Sequence, residues 1–253
     1  MKFNTKCVHG SGRPDSTGAI SPAIYMSSTF SHPKLGDTTG YQYTRESNPT
    51  RDRLEQLIAG LEDGKDALAF SSGMAAVDAV FHLFSPGDHI ILGDDLYGGS
   101  IRMFTNIYEQ NGIEFTYVGT SDLDAVKAAF KPNTKAVYIE TPTNPMMEIT
   151  DIRALCALAH DRNALVIIDN TFLSPYFQKP LNLGADIVVH SGTKFIGGHH
   201  DVISGFTIVN DDELAAKLRL TYKTVGACLS AMDSWLVIRG VKTLALRMEQ
   251  HQK

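Results

Sequence analysis

The chain has 253 residues, 43% hydrophobic and 20% charged, an ordinary globular mix that excludes a disordered polymer. About 150 residues per domain is usual, so this length allows one large domain or two small ones, and a chain of this size buries roughly 70–75% of its unfolded surface. Its 23 basic and 28 acidic residues give a net charge of −5 with no Lys/Arg run, which argues against nucleic acid or an anionic membrane as partner. Cys7, Cys156 and Cys228 are too few and too scattered for a disulfide framework or a zinc site; they read as reduced thiols of a cytoplasmic protein. The polar N-terminus has no apolar signal segment. The longest apolar runs are strand-sized, below the ~20 residues of a membrane span.

Residues 1–48 are rich in Ser, Thr, Gly, Pro and Tyr, lack a sustained period, and read as an irregular extended arm. Helical periodicity starts at Asn48, a capping residue, with Pro49 at the first helical position and Leu54, Leu57, Ile58 and Leu61 on one face. Gly64 is the expected stop. Short apolar strands follow at 66–70, 89–92, 113–118, 136–139, 165–168 and 187–189, with a further one within 202–209. Helical stretches lie between most of them at 74–84, 100–111, 123–130 and 152–162, then at 212–224 and 231–250. The last opens on Ser230-Ala231-Met232-Asp233, which resembles a capping box. Strands that alternate with helices and are apolar on both faces predict an α/β fold, a mainly parallel sheet with helices on both faces.

In such a sheet, ligands bind beyond the carboxyl ends of the strands, so the residues after each strand matter most. Strand 66–70 leads through Ser71-Ser72-Gly73-Met74 into a helix, whose free N–H groups and positive dipole end suit a phosphate. A tight packing turn explains the same residues equally well. Tyr97, in Asp95-Leu96-Tyr97-Gly98-Gly99, is an aromatic at the working edge; by itself it reads as a loop tyrosine capping the core. Two prolines in Glu140-Thr141-Pro142-Thr143-Asn144-Pro145 pin a loop that aims Asn144 at a cleft. Asp169 follows four apolar residues, a costly place for an acid unless it is paired, and is either a turn cap or a carboxylate facing a cation.

The most specific segment is His190-Ser191-Gly192-Thr193-Lys194-Phe195-Ile196-Gly197-Gly198-His199. Lys194 lies between an apolar strand and an apolar pair, which predicts burial. A buried lysine loses its proton readily, and a neutral amine attacks carbonyls. Ser191 and Thr193 offer hydroxyls to phosphate oxygens. Adjacent His199 and His200 point to different faces, so no metal site is expected. Together these are one lysine for a Schiff base, one carboxylate for a pyridinium nitrogen, a helix N-terminus with hydroxyls for a phosphate, and an aromatic to stack. That is the set pyridoxal 5′-phosphate needs.

On these segments, with Tyr41-Gln42-Tyr43-Thr44-Arg45-Glu46-Ser47-Asn48-Pro49-Thr50-Arg51 and Asp169-Asn170-Thr171, the chain resembles the pyridoxal-phosphate enzymes of cysteine and methionine metabolism. These are the cystathionine γ-synthases, cystathionine γ- and β-lyases and methionine γ-lyases. The resemblance runs from about His9 to the last residue. It implies the large domain of the aspartate aminotransferase-like transferase fold at 49–229, with 1–48 as an arm serving a neighbouring subunit's site. Residues 230–253 would begin the helix leading to a smaller C-terminal domain, which carries the substrate carboxylate clamp and is absent here. By resemblance, Lys194 carries the cofactor and shuttles protons, Asp169 pairs with the ring nitrogen, and Tyr97 stacks and acts as an acid/base. Gly73, Met74, Ser191 and Thr193 hold the phosphate. Asn144 lies near the ring hydroxyl, supported by Thr171. Tyr43 and Arg45 reach the phosphate of a neighbouring subunit, which implies a homo-oligomer, in this family a dimer of dimers.

The implied activity is γ-elimination or γ-replacement on a small sulfur-containing amino acid, because Asn48-Pro49-Thr50 looks like the γ-synthase and γ-lyase branch. The alternatives are a β-lyase, a methionine γ-lyase (disfavoured by Gly99 where those enzymes have a cysteine), and a fragment that only binds cofactor. An aminotransferase is disfavoured by the local motifs.

Overall fold

The computed structural model describes residues 1–10, 12 and 16–253; residues 11 and 13–15 of the expected arm lie outside the described residues. The apolar runs become seven strands: β1 (Asp66–Phe70), β2 (His89–Gly93), β3 (Glu114–Val118), β4 (Thr134–Glu140), β5 (Leu165–Asp169), β6 (Ile187–Ser191) and β7 (Gly205–Val209). They form one sheet in the order β1-β7-β6-β5-β4-β2-β3. The neighbours from β6 to β3 pair in parallel. β7 runs antiparallel to both β6 and β1, so the carboxyl ends of the other six strands share one edge.

Strand side chains alternate between two cores, as a period of two requires. Leu68, Phe70, Tyr138, Ile167 and Val189 face one core. It is covered by α3 (Gly73–Phe81), α4 (Gly98–Met103) with a wider π turn at Phe104–Tyr108, and α8 (Asp212–Val225). Ala69, Val188, Phe206 and Ile208 face the other side. There they meet α1 (Phe3–His9), α2 (Pro49–Glu62), α9 (Ala231–Val241) and α10 (Leu244–His251), while Val137, Ile139 and Ile168 pack under α6 (Ile152–His160). A short α5 (Leu123–Ala129) follows β3, and single turns α7 (Ser174–Phe177) and Pro180–Leu183 follow β5.

Three local expectations need correction. The N-terminal stretch is not wholly irregular, because α1 forms within it and buries Cys7. Seven residues are too few to show a period, and such a helix is stabilised by tertiary packing. Helix α2 is capped by Asn48, whose side chain accepts the Thr50 N–H at 2.9 Å, but its left-handed stop is Asp63 rather than Gly64. Gly64 serves a close approach instead: an added Cβ would lie 2.2 Å from Ile208 Cγ2. Finally, 231–250 is two helices. The chain tightens at Lys242–Thr243, where N–H groups bond three residues back to Arg239 and Gly240. The Gly240 carbonyl also accepts from Arg247 Nη2 at 3.0 Å, and Arg247 Nη1 reaches the Phe195 carbonyl at 2.5 Å. This break therefore clamps the loop that follows Lys194.

Arg51 is the largest fully buried side chain. Its guanidinium donates to the Thr44 carbonyl at 2.6 Å and the Leu229 carbonyl at 3.2 Å, and lies 3.8 Å from Glu55 Oε1. Burial, against the pull of Arg219 and Arg51, pushes the Glu55 carboxyl up to about 7. Arg51→Ala should cost about 3–5 kcal/mol by stranding these partners, read as a lower urea midpoint. Lys65→Ala, which breaks an exposed pair with Asp212, should cost at most about 1 kcal/mol.

Candidate active site

At the shared carboxyl edge, each strand delivers a different group. After β1, Ser72 caps α3 by accepting the Ala75 N–H at 3.0 Å. This leaves the first-turn amides of Gly73 and Met74 without an intrahelical acceptor, at the positive end of the helix. A Cβ on Gly73 would stand 2.8 Å from Ser191 Cβ, so glycine lets α3 dock against the end of β6. The Ser191 N–H donates to Thr171 Oγ1 at 2.8 Å. Thr193 Oγ1 donates to the Ser204 carbonyl at 3.2 Å and accepts the Ser204 N–H at 3.1 Å.

These groups surround one cavity of about 460 Å³, within the usual size range of ligand sites. Gly73, Met74, Tyr97, Asn144, Asp169, Thr171, Ser191, Thr193 and Lys194 all line it. Tyr43 and Arg45 do not. They are exposed elsewhere, with the Arg45 guanidinium 5.3 Å from the centroid of the Tyr43 ring. One expectation is overturned: Lys194 is exposed rather than buried. Its backbone is fixed in the turn, with its N–H on the Ser191 carbonyl at 3.2 Å, but the side chain reaches into an open cavity. His199 and His200 are exposed, and His199 Nδ1 bonds the Gly197 carbonyl at 2.8 Å. Among the described residues no group of three or more metal-ligating side chains is assembled, and no helix is long and apolar enough to cross a membrane.

Asp169 ends β5 with Oδ1 accepting the Thr171 N–H at 3.0 Å. Burial raises its carboxyl above the ordinary value, opposed by hydrogen bonds from Thr171 and Tyr138 and by the nearby His190. Glu140 ends β4 directly opposite Asp169 in the parallel register. It lines the cavity too, and its Oε2 accepts the Tyr97 N–H at 3.0 Å. Sequence reasoning gave Glu140 no role, yet the signal was present: an acid after four apolar strand residues, the same pattern that marks Asp169. Val77, Phe172, Phe195 and Ile203 complete the apolar wall, and no motif announced them.

The donor set matches pyridoxal 5′-phosphate. A primary amine and a half-buried carboxylate face the same cavity, and a helix N-terminus packed against Ser191 supplies an anion cradle that a single Cβ would fill. Gly73→Ala should cost about 1–3 kcal/mol by forcing Ser191 aside, measured by chemical denaturation. A Cβ on Gly98 meets nothing within 4 Å, so Gly98→Ala should stay within about 0.5 kcal/mol.

The chain is similar to known proteins over nearly its whole length. A cystathionine gamma-lyase of Bacillus subtilis (strain 168) is 51% identical over 250 residues, 98% of this chain and 66% of its own length. A cystathionine beta-lyase of Lactococcus lactis subsp. cremoris (strain MG1363) is also 51% identical over the same shares. A cystathionine gamma-synthase of Haemophilus influenzae is 46% identical over 96% of this chain and 66% of its own. The crystal structure of cystathionine gamma-lyase from Lactobacillus plantarum, complexed with L-serine, superposes with a TM-score of 0.95 at 51% identity over 97% of this chain and 65% of that one. The chain thus spans about two thirds of the length of these relatives. The sequence model described as "Cys/Met metabolism PLP-dependent enzyme" matches residues 4–253. Fold, cavity and sequence agree that this chain belongs to the family of pyridoxal-phosphate-dependent enzymes of cysteine and methionine metabolism.

Proposed function

We propose that the chain carries the cofactor site of a carbon–sulfur lyase or transsulfuration enzyme, acting by γ-elimination or γ-replacement on a small sulfur-containing amino acid. The observation that carries this reading is the convergence of Lys194, Asp169 and the N-terminus of α3 on one cavity. When bound, pyridoxal 5′-phosphate supplies an electron sink conjugated to the substrate α-carbon. Lys194 would hold it through Nζ and would move protons at substrate carbons. Asp169 keeps the ring nitrogen protonated. The amides of Gly73 and Met74, with the Ser191 and Thr193 hydroxyls, bind the phosphate. Because the Thr193 hydroxyl already donates to Ser204, it must turn to do so. Tyr97 covers the ring and serves as an acid/base, while Asn144, supported by Thr171, orients the ring hydroxyl.

Tyr43 and Arg45 lie outside the cavity of their own chain, which supports their use in a neighbouring subunit of a homo-oligomer. Residues 1–48 then form the arm, 49–229 the cofactor domain and 230–253 the start of the connection toward the substrate clamp. Three free cysteines suit a cytoplasmic enzyme. β-Elimination is the second reading, because relatives of equal identity carry the γ-lyase and the β-lyase name. Methionine γ-lyase is disfavoured: at Gly99 an added Cβ would come within 2.4 Å of the Tyr97 ring, so a cysteine there would displace it.

The purified protein reconstituted with pyridoxal 5′-phosphate should show a visible absorbance band that Lys194→Ala abolishes. Persistence of the band would overturn the lysine assignment. Keto-acid and thiol products from cystathionine decide between γ- and β-cleavage. Arg45→Ala should weaken cofactor retention about 10–100-fold, the loss of one charge-assisted bond. A monomer that holds cofactor fully would refute sharing between subunits.

A further inference from the structure

Glu140 is the second carboxyl group of the cavity wall, and the reading above leaves it without a task. It is only 5% exposed. Its bond to the Tyr97 N–H comes from the sheet; the Tyr97 carbonyl bonds forward to the Ser100 and Ile101 amides within α4. Tyr97 caps α4 without any side-chain cap bond, its ring is half exposed at the cavity mouth, and Gly98 and Gly99 follow it. Among the described residues, the Glu140 bond is what ties the Tyr97 backbone to the rigid sheet.

Glu140 also faces Asp169 across neighbouring strands. Two ionised carboxylates held side by side away from water repel strongly, and one proton relieves the pair. The charged groups around Glu140 are Asp169 on β5, Asp95 in the turn before α4, and Lys194 across the cavity. Burial first, then the Asp169 charge, pushes the Glu140 carboxyl up to about 8, against the bond from Tyr97.

We propose that Glu140 is a positioning residue: by accepting the Tyr97 N–H it holds the Tyr97 ring at the cavity mouth, and beside Asp169 the two carboxyl groups carry one proton between them. The value of a held ring rests on the cofactor reading; the Glu140–Tyr97 coupling is a property of the protein alone.

Separate measurements test the two levels. In the cofactor-free protein, infrared difference spectra between roughly pH 6 and 10 should show a carboxylic-acid C=O stretch that disappears on titration and is missing in Glu140→Gln. In the same protein, nitration of Tyr97 should be unchanged in Glu140→Gln and about tenfold faster in Glu140→Ala, matching the loss of one buried hydrogen bond. In the reconstituted protein, Glu140→Gln should bind pyridoxal 5′-phosphate within about threefold of wild type. Glu140→Ala should bind about tenfold more weakly, and no further loss should appear in Glu140→Ala combined with Tyr97→Ala beyond Tyr97→Ala alone. A missing acid signal, equal damage from Gln and Ala, or additive losses overturn the proposal. A wild-type protein that takes up no cofactor overturns the functional reading instead, while the infrared and nitration results still decide the role of Glu140.

Discussion

One buried oxygen atom holds the site edge together. Glu62 Oε1, in the last turn of α2, receives His190 Nε2 at 2.6 Å and Asn170 Nδ2 at 2.9 Å. Asn170 directly follows Asp169, and His190 directly precedes Ser191. The same carboxylate therefore sets the relative height of the ends of β5 and β6. Gln178 extends the network, donating to Asn170 Oδ1 at 2.9 Å and to the Thr141 carbonyl at 3.0 Å. That carbonyl opens the loop that carries Asn144. Glu62, His190 and Asn170 are fully buried, so removing any one member leaves charged or polar groups stranded in a low-dielectric interior.

With the strand ends fixed from behind, the front of the site is assembled by close approach. Gly73 lets the N-terminus of α3 touch Ser191, and Gly205 lets β7 pass within contact of the Ser72 carbonyl. Arg247 reaches back from α10 to the Phe195 carbonyl, so the turn carrying Lys194 is held from its far side. The electrostatics follow from this rigidity. Glu140 and Asp169 cannot separate, because the parallel ladder registers them on adjacent strands. A proton shared between them relieves the repulsion that movement cannot.

Much of the site was legible in order along the chain. A lysine among small residues, an acid after an apolar run and a small-residue turn into a helix each stand at the end of a strand, where a parallel sheet places its ligands. Most of the strands were recognisable because their apolar residues run continuously, and the cap at Asn48 because its chemistry is local. The exposure of Lys194 was not legible: flanking apolar residues describe the neighbours in sequence, whereas exposure depends on the shape of a cavity built by five other segments. The role of Glu140 was overlooked because its partner Asp169 is 29 positions away in the chain. α1 and the break between α9 and α10 depend likewise on contacts that no local period encodes.

The sequence by itself therefore determined the α/β class, most of the elements and the chemical inventory of the site, since these follow from periodicity and from residue types at strand ends. Only the tertiary structure decided the strand order, the antiparallel insertion of β7 between β1 and β6, the pairing of two carboxylates and the division of labour around Tyr97. The physical reason is that desolvation, register and close approach are set by which distant segments come to pack together.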